Sequence, residues 1–450
     1  MSPRETRKFT AVLFGIAFAA LAVRTVPIVS RGDIGWAMEP NGDSAAYIGL
    51  ADGLKRGCGF AWWAGDHCAD LPESNRTPGY PVFLSLMPGL RFALIAQGLL
   101  WSCLCFFVGL FAAIVAGSSA GYCAAAIIAA DVPSIVSSGE IMSETLFTAL
   151  LVGAVLAELE MLRSTSSSMK VYCLLAFASS MLGLALLVRP IAEFVIPLFI
   201  VPPMLLTGLS RSRRALLSLL VAVGPVVSGT AWSLRNYSLA GVSGLSTIGG
   251  LNFFYYRAVG TLALASHAGW AATLARTQPP PHSELGAQAC QIILHHPLAF
   301  IAMTLWSFFY VCAVPDRAPL AHLLGIPSLL QVHEPGSVRI EALAHKLWAG
   351  KFSGLSLVPV QELHSSVVLL LLVVLQLAMI GFTWAGVMRS LKKHAGHSSS
   401  LRASILFALA VAVLMLLLAS GPEAAARFRV PATPLLAFFA GVGWFGTAEG

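Results

Sequence analysis

The chain alternates long apolar blocks with short polar connections. Val367–Met388 reads VVLLLLVVLQLAMIGFTWAGVM and Ile405–Leu418 reads ILFALAVAVLMLLL, with no charge in either. A bilayer core of about 30 Å takes roughly 20 such residues as a helix. On that scale, spanning helices are predicted near 9–29, 92–116, 119–137, 143–161, 171–188, 191–208 and 214–232. Further spans follow at Leu298–Val314, 366–388, 403–420 and 433–448, and Ala318–Leu330 is a weaker candidate, so ten to twelve helices are expected. The first block, Phe9–Ile28, follows the basic terminus MSPRETRK. Its apolar run is longer than that of a cleaved leader. It therefore reads as a retained first helix, with Arg24 snorkelling outward near its end.

Composition strengthens the pattern. The 450 residues are 57% hydrophobic and 11% charged, against about 25% charged in soluble domains. The fold class is an all-α polytopic membrane protein. Secreted enzyme, cytosolic enzyme and nucleic-acid binder are excluded as whole-chain readings. The net charge of +7 reports on loops, and basic loops set orientation. The amino terminus, Arg163–Lys170 and Arg211–Arg214 fall on one side, which becomes cytoplasmic. The loop 30–91, the turn near Glu140 and the segment 233–297 then face outward. Arg389, Lys392, Lys393 and Arg402 are placed inside, so 298–365 must cross the membrane an even number of times. No repeat or linker interrupts the chain, and one membrane domain over 1–450 with no soluble appendage is expected.

Eight cysteines show no metal-binding spacing. Five lie in apolar stretches as small hydrophobes. Cys58 and Cys68 share the first outer loop, where a disulfide forms if that side is oxidising.

That loop holds the densest chemistry. After Asp43, Tyr47, Leu50, Ala51 and Leu54 share one helical face, and Gly57 and Gly59 end the helix. An amphipathic helix lying on the membrane surface follows. Asp43 also suits an N-cap. The segment Arg76-Thr77-Pro78-Gly79-Tyr80-Pro81 reads as a tight turn at the membrane edge. Six arginines, Arg76, Arg189, Arg235, Arg257, Arg427 and Arg429, are predicted on the outer side, against the positive-inside trend. A lipid phosphate would explain them; the other reading is snorkelling or pairing with carboxylates. Two or three of the six are expected to meet substrate. Glu140 and Glu144 sit at the outer mouth between the third and fourth spans, and Asp131 lies deeper, where capping a helix break, binding an arginine and a catalytic role are the readings open to it. His267, His282, His295 and His296 have no HExxH-type spacing. Phe253–Tyr256 reads as an interfacial aromatic belt or as the lining of a sugar or prenyl path.

These residues carry a resemblance. An Asp followed by a small residue and a Tyr on a surface helix, then Arg-x-Pro-Gly-Tyr-Pro, resembles the GT-C superfamily of glycosyltransferases, in the branch of protein O-mannosyltransferases and bacterial aminoarabinose transferases. The likeness continues through Ser143-Glu144-Thr145-Leu146-Phe147, Arg189-Pro190, Arg235-Asn236-Tyr237 and Gly250-Leu251-Asn252. It ends with Glu423 and Arg427-Phe428-Arg429-Val430-Pro431. The resemblance implies a GT-C-like membrane fold with juxtamembrane helices on the outer face. It also implies an inverting transferase of the cytoplasmic membrane that moves sugar from a polyprenyl-phosphate carrier to a glycan, lipid or protein acceptor. The implied catalytic residues are Asp43 and Glu144. The implied donor-phosphate ligands are Arg76, Arg189, Arg235, Arg427 and Arg429, with Tyr47, Tyr80 and Asn252 lining the substrate. A divalent cation shared by Asp43 and Glu144 is left open.

The sequence departs from both branches. Protein mannosyltransferases carry an adjacent Asp-Glu pair where Asp43 is followed here by Ser44, and a soluble domain for which 233–297 is too short. The aminoarabinose enzymes carry a soluble domain after the last helix, beyond the point where this sequence stops. Sugar and acceptor are not legible. The competing classes are a polymerase or ligase of surface polysaccharide and a transporter of lipid-linked sugar. Charges gathered at one face favour chemistry there over transport, which favours midplane charges.

Overall fold

The computed structural model describes residues 2–31, 34–38, 42–63, 66–163, 169–206, 209–281, 284–313, 367–394, 399–418, 421 and 426–446. Ala318–Leu330, His282 and Glu423 lie outside the described residues. The protein is an all-α polytopic membrane protein. It divides into two compact units, the first comprising Met1–Ser246, Gly381–Met415 and Val430–Gly450, the second Thr247–Ile380 and Leu416–Arg429.

The first unit opens with α1 (Pro3–Ser30), then the short α2 (Asp43–Lys55) and α3 (Gly79–Ser85). The apolar helices α4 (Leu90–Ala116), α5 (Ser118–Ala130), α6 (Val132–Gly139), α7 (Glu144–Arg163) and α8 (Met169–Val188) follow. The predicted span 191–208 is not one helix. It is a string of 3-10 turns, Pro190–Phe194 and Ile196–Ile200, leading to the single-turn α9 (Val201–Met204). Pro190, Pro197, Pro202 and Pro203 account for this, because each proline lacks the N–H that an α-helix needs and crowds the preceding turn. The long α10 (Arg211–Ala240) completes the run.

The predicted span 119–137 is also broken, with α5 and α6 meeting at Asp131 under a 52° bend. Asp131 caps α6, accepting from the Ser134 amide at 3.1 Å. The carbonyls that α5 leaves unpaired are met by Arg24. Instead of snorkelling outward, Arg24 is 2% exposed. Its guanidinium donates to the carbonyls of Ile128 (3.1 Å) and Ala129 (3.2 Å) and to Ser134 Oγ (2.9 Å), and lies 5.5 Å from the Trp101 ring centre. A charge inside an apolar bundle is costly unless its donors are satisfied. The broken helix supplies the acceptors.

In the second unit, α11 (Ile248–Asn252) runs into a π-helical turn at Phe253–Ala258, then α12 (Val259–Ala265), α13 (Trp270–Arg276) and α14 (Leu285–His295). Phe254, Ala258, Val259, Leu285 and Ala289 form its core. After α14 the chain turns by 100° into the apolar α15 (Pro297–Ala313). The chain continues through α16 (Val367–His394), α17 (Ser399–Leu418) and α18 (Thr433–Phe445). Among the described residues, six helices are long and apolar enough to cross a membrane, two bent pairs pass together, and two shorter apolar helices follow.

Candidate functional site

The site in the first unit is built by short segments that present backbone ends. Asp43 opens α2 but is not its N-cap; that place belongs to Gly42, in the left-handed region at φ 87°. The Asp43 carboxylate is thereby left for another partner. At the far end of α2, Arg56 caps the helix and Gly57 takes a left-handed φ of 82°, the termination expected from the sequence. A disulfide joins Cys58 to Cys68, with Cα atoms 5.5 Å apart. Within that loop the Trp62 indole donates to Glu73 Oε2 at 2.8 Å, fixing the approach to Arg76. Thr77 Oγ1 donates to the Val188 carbonyl at 3.1 Å, which ties the turn to the end of α8. Gly79 is needed at that contact, since a Cβ there would come within 2.7 Å of the Leu187 carbonyl.

Arg76 Nη2 meets Asp43 Oδ1 at 2.5 Å, with side chains 18% and 29% exposed. The same guanidinium lies 5.0 Å from the Tyr47 ring centre. Burial opposes its charge, but Tyr47 and Asp43 outweigh it and hold Arg76 above its ordinary range. A second ion pair stands beside the first. Arg189 Nη1 meets Glu144 Oε1 at 2.8 Å, and here the carboxylate is only 2% exposed. Arg189 also lies above its ordinary range, because Glu144 and Tyr47 overcome the effect of burial. The two pairs are joined through hydroxyls. Tyr47 Oη and Ser143 Oγ lie 3.2 Å apart, and Arg189 Nη1 donates to the same Ser143 Oγ at 3.5 Å.

Beneath this network sits Tyr80, fully buried and edge-on to Tyr47 with ring centres 4.8 Å apart. Its hydroxyl donates to Gln97 Oε1 at 2.7 Å. Burial pushes the Tyr80 phenol well above its ordinary range, so it remains a donor. Gln97 in turn donates from Nε2 to the carbonyls of Ser138 (3.0 Å) and Glu140 (2.9 Å). It thus fixes the chain just ahead of Ser143 and Glu144. Gln97 carried no sequence signal of its own. A fully buried amide within the apolar α4 was the available clue.

The structure therefore brings Asp43, Tyr47, Arg76, Tyr80, Glu144 and Arg189 together. Arg235 lies in the same unit and makes other contacts. It donates to the carbonyls of Glu73 (2.5 Å) and Phe60 (3.0 Å) and stacks 4.8 Å from the Trp232 ring centre, holding the disulfide loop. Asn252, Arg257, Arg427 and Arg429 belong to the second unit. There Asn252 ends α11, and Arg427 lies 5.1 Å from the Phe428 ring centre. Arg429, 3% exposed, donates to the carbonyls of Val311 (2.9 Å) and Cys312 (3.3 Å) at the end of α15. Arg257 donates to the Leu418 carbonyl.

As for a divalent cation, Asp43 and Glu144 are each already neutralised by an arginine, and no group of three metal-ligating side chains gathers among the described residues. Hard cations want several anionic or neutral oxygen ligands, so this donor set does not fit one.

The fold is similar to that of solved archaeal oligosaccharyltransferases. The Archaeoglobus fulgidus oligosaccharyltransferase in its apo form is similar over 98% of this chain at 15% identity, with a TM-score of 0.54. Oligosaccharyltransferase AglB from the same organism, in complex with an inhibitory peptide and a dolichol-phosphate, is similar over 97% at 13% identity, with a TM-score of 0.53. This chain spans about half the length of these proteins, 51% and 50% respectively. ArnT from Cupriavidus metallidurans bound to undecaprenyl phosphate aligns with 98% of this chain and 78% of its own at 15% identity, with a TM-score of 0.37. No family model matches the chain, and no curated protein matches it in sequence.

Proposed function

We propose that the protein is an inverting glycosyltransferase that moves a sugar from a polyprenyl-phosphate carrier to an acceptor at the outer face of the cytoplasmic membrane. The observation that carries this reading is the pair of ion pairs, Asp43–Arg76 and Glu144–Arg189, linked through Tyr47 and Ser143. Such a site holds a base and two cations within one hydrogen-bonded frame.

In the reaction the acceptor oxygen forms a bond to the anomeric carbon while the bond from that carbon to the phosphate oxygen breaks. The acceptor proton passes to the Asp43 carboxylate. A positioned base of this kind contributes roughly 10²–10⁴-fold. Protonation of Asp43 removes the countercharge of Arg76 just as negative charge grows on the leaving phosphate. Arg76 then stabilises the transition state more than the ground state, as electrostatic catalysis requires. Arg189 supplies a second cation, kept in place by Glu144. No step runs through a metal.

Two features support the outward orientation. Glu144 and Arg189 stand at one end of the α7–α8 hairpin, whereas Arg163 and Lys170 stand at the other. Basic residues favour the cytoplasmic end. The Cys58–Cys68 disulfide lies on the site's own loop, and disulfides persist in oxidising compartments.

The test is mass spectrometry of lipid that co-purifies with the protein in mild detergent, coupled to transfer assays with that lipid. A polyprenyl monophosphate carrying one sugar, consumed by the wild type but not by Asp43→Asn, is the expected result. A polyprenyl diphosphate oligosaccharide would replace this reading with a polymerase or ligase. Retained transfer in Asp43→Asn would remove Asp43 as the base.

A further inference from the structure

A cleft lies beside the transfer site but outside it. It runs in the first unit between α8, the turn Pro190–Phe194, α10 and the loop that follows, and measures about 520 Å³. That size falls within the roughly 300–1,000 Å³ of small-molecule sites. Leu186 and Val226 give it apolar wall, while Glu193, Thr230, Ser233 and Tyr237 bring polar groups to it. Leu186 is three residues from Arg189 in sequence, so the cleft begins at the transfer site's end of α8.

The polar groups are the unusual part. Thr230, Ser233 and Tyr237 recur at helical spacing along one face of α10. Hydroxyls on apolar helices ordinarily bond back to the preceding turn, as Thr148 and Ser180 do here at 2.7 and 2.8 Å. Thr230, Ser233 and Tyr237 make no side-chain hydrogen bond among the described residues, and Glu193 has no ion-pair partner there. Glu193, exposed in the turn Pro190–Phe194, brings a charged hydrogen-bond acceptor to this otherwise apolar wall.

We propose that this cleft holds an uncharged saccharide unit of the acceptor. The proposal rests on the glycosyltransferase reading, because it names that enzyme's acceptor class. A saccharide has hydroxyls for Glu193, Thr230 and Ser233 and an apolar face for Leu186 and Val226. A bare prenyl chain would strip water from Glu193 and return nothing. A phosphate would be repelled, since Glu193 is the one charged residue in the lining.

The test uses the full chain in phosphatidylcholine nanodiscs and a diazirine-bearing alkyl β-glucoside as photoprobe, with labelled peptides mapped by mass spectrometry. Label is expected within 225–245, displaced by octyl β-glucoside below its micellar concentration but not by dodecyl phosphate. Glu193→Gln is expected to weaken labelling about tenfold, as loss of a hydrogen bond to a charged group implies. Its thermal midpoint should stay at the wild-type value, because Glu193 is exposed. Equal displacement by dodecyl phosphate, or wild-type labelling of Glu193→Gln, would overturn the proposal and leave the cleft a lipid crevice. Labelling of Asp43→Asn separates the two readings. Specific labelling there, together with retained transfer, leaves the saccharide cleft standing while the Asp43 mechanism falls.

Discussion

The first unit contains two buried charge centres that look alike in sequence and differ in kind. At the α5–α6 break, Arg24 is surrounded by carbonyls and one hydroxyl and is sealed at 2% exposure. At the ends of α7 and α8, Arg76 and Arg189 face carboxylates, and the Asp43–Arg76 pair remains open at 18% and 29%. A guanidinium satisfied by helix-end carbonyls has fixed partners, because the carbonyls cannot change charge. A guanidinium paired with a carboxylate loses its partner when the carboxylate takes a proton. The first arrangement repairs a fold; the second can respond to a reaction. Arg429, set among the carbonyls of Val311 and Cys312, is of the first kind.

The strongest way to break this contrast is Asp43→Asn. The amide keeps the shape but takes no proton, so transfer should fall by roughly 10²–10⁴-fold. The thermal midpoint should hardly move, since the pair is part-exposed and such pairs contribute about 0–1 kcal/mol. Wild-type transfer from this variant would put both charge centres in one structural class. Next in size is Glu144→Gln. Glu144 is 2% exposed, and removing one partner of a buried pair costs about 3–5 kcal/mol. Both transfer and thermal midpoint should drop. A loss of transfer with unchanged stability would instead make Glu144 a purely reactive group.

Arg24→Met probes the other centre. The carbonyls of Ile128 and Ala129 and the Ser134 hydroxyl lose their donor, at about 1–3 kcal/mol in stability. Transfer per folded molecule should match the wild type, measured on detergent-purified protein after heat-denatured material is removed. Inactive but fully stable Arg24→Met would show that the α5–α6 break serves the reaction.

What the sequence revealed and what it hid follow from range of interaction. The apolar blocks are local signals, so α4, α7 and α8 were legible to within a few residues. The end of α2 at Gly57 was legible for the same reason, whereas the sequence leaves the Cys58–Cys68 bond open, because that bond depends on the compartment that the loop faces. Residues 191–208 misled because their composition is mostly apolar while Pro197, Pro202 and Pro203, with Pro190 just ahead, forbid a continuous helix. Arg24 misled because snorkelling and carbonyl capping demand the same residue near a helix end, and only the break at Asp131 decides between them. The six arginines expected on the outer side likewise share one sequence signature. Arg76 and Arg189 meet carboxylates whereas Arg235, Arg257 and Arg429 donate to carbonyls, and that division depends on contacts between residues far apart in sequence, 162 positions for Arg235 and Glu73.

The smallest expected effect lies under the site, in the Tyr80–Gln97 bond. Tyr80 Oη reaches Gln97 Oε1 at 2.7 Å, and both residues are fully buried. Tyr80→Phe and Gln97→Met should each lower stability by about 1 kcal/mol, the usual net value of one such bond. Gln97→Met also releases the Ser138 and Glu140 carbonyls, so it should be the more damaging of the two. Each variant removes the same bond, so the double variant should lose less than the separate losses combined. Additive losses would mean that Tyr80 and Gln97 act independently. The ion pairs above would then rest on the Tyr47 and Ser143 hydroxyls alone, and the buried layer would no longer explain why Glu144 stands where Arg189 can reach it.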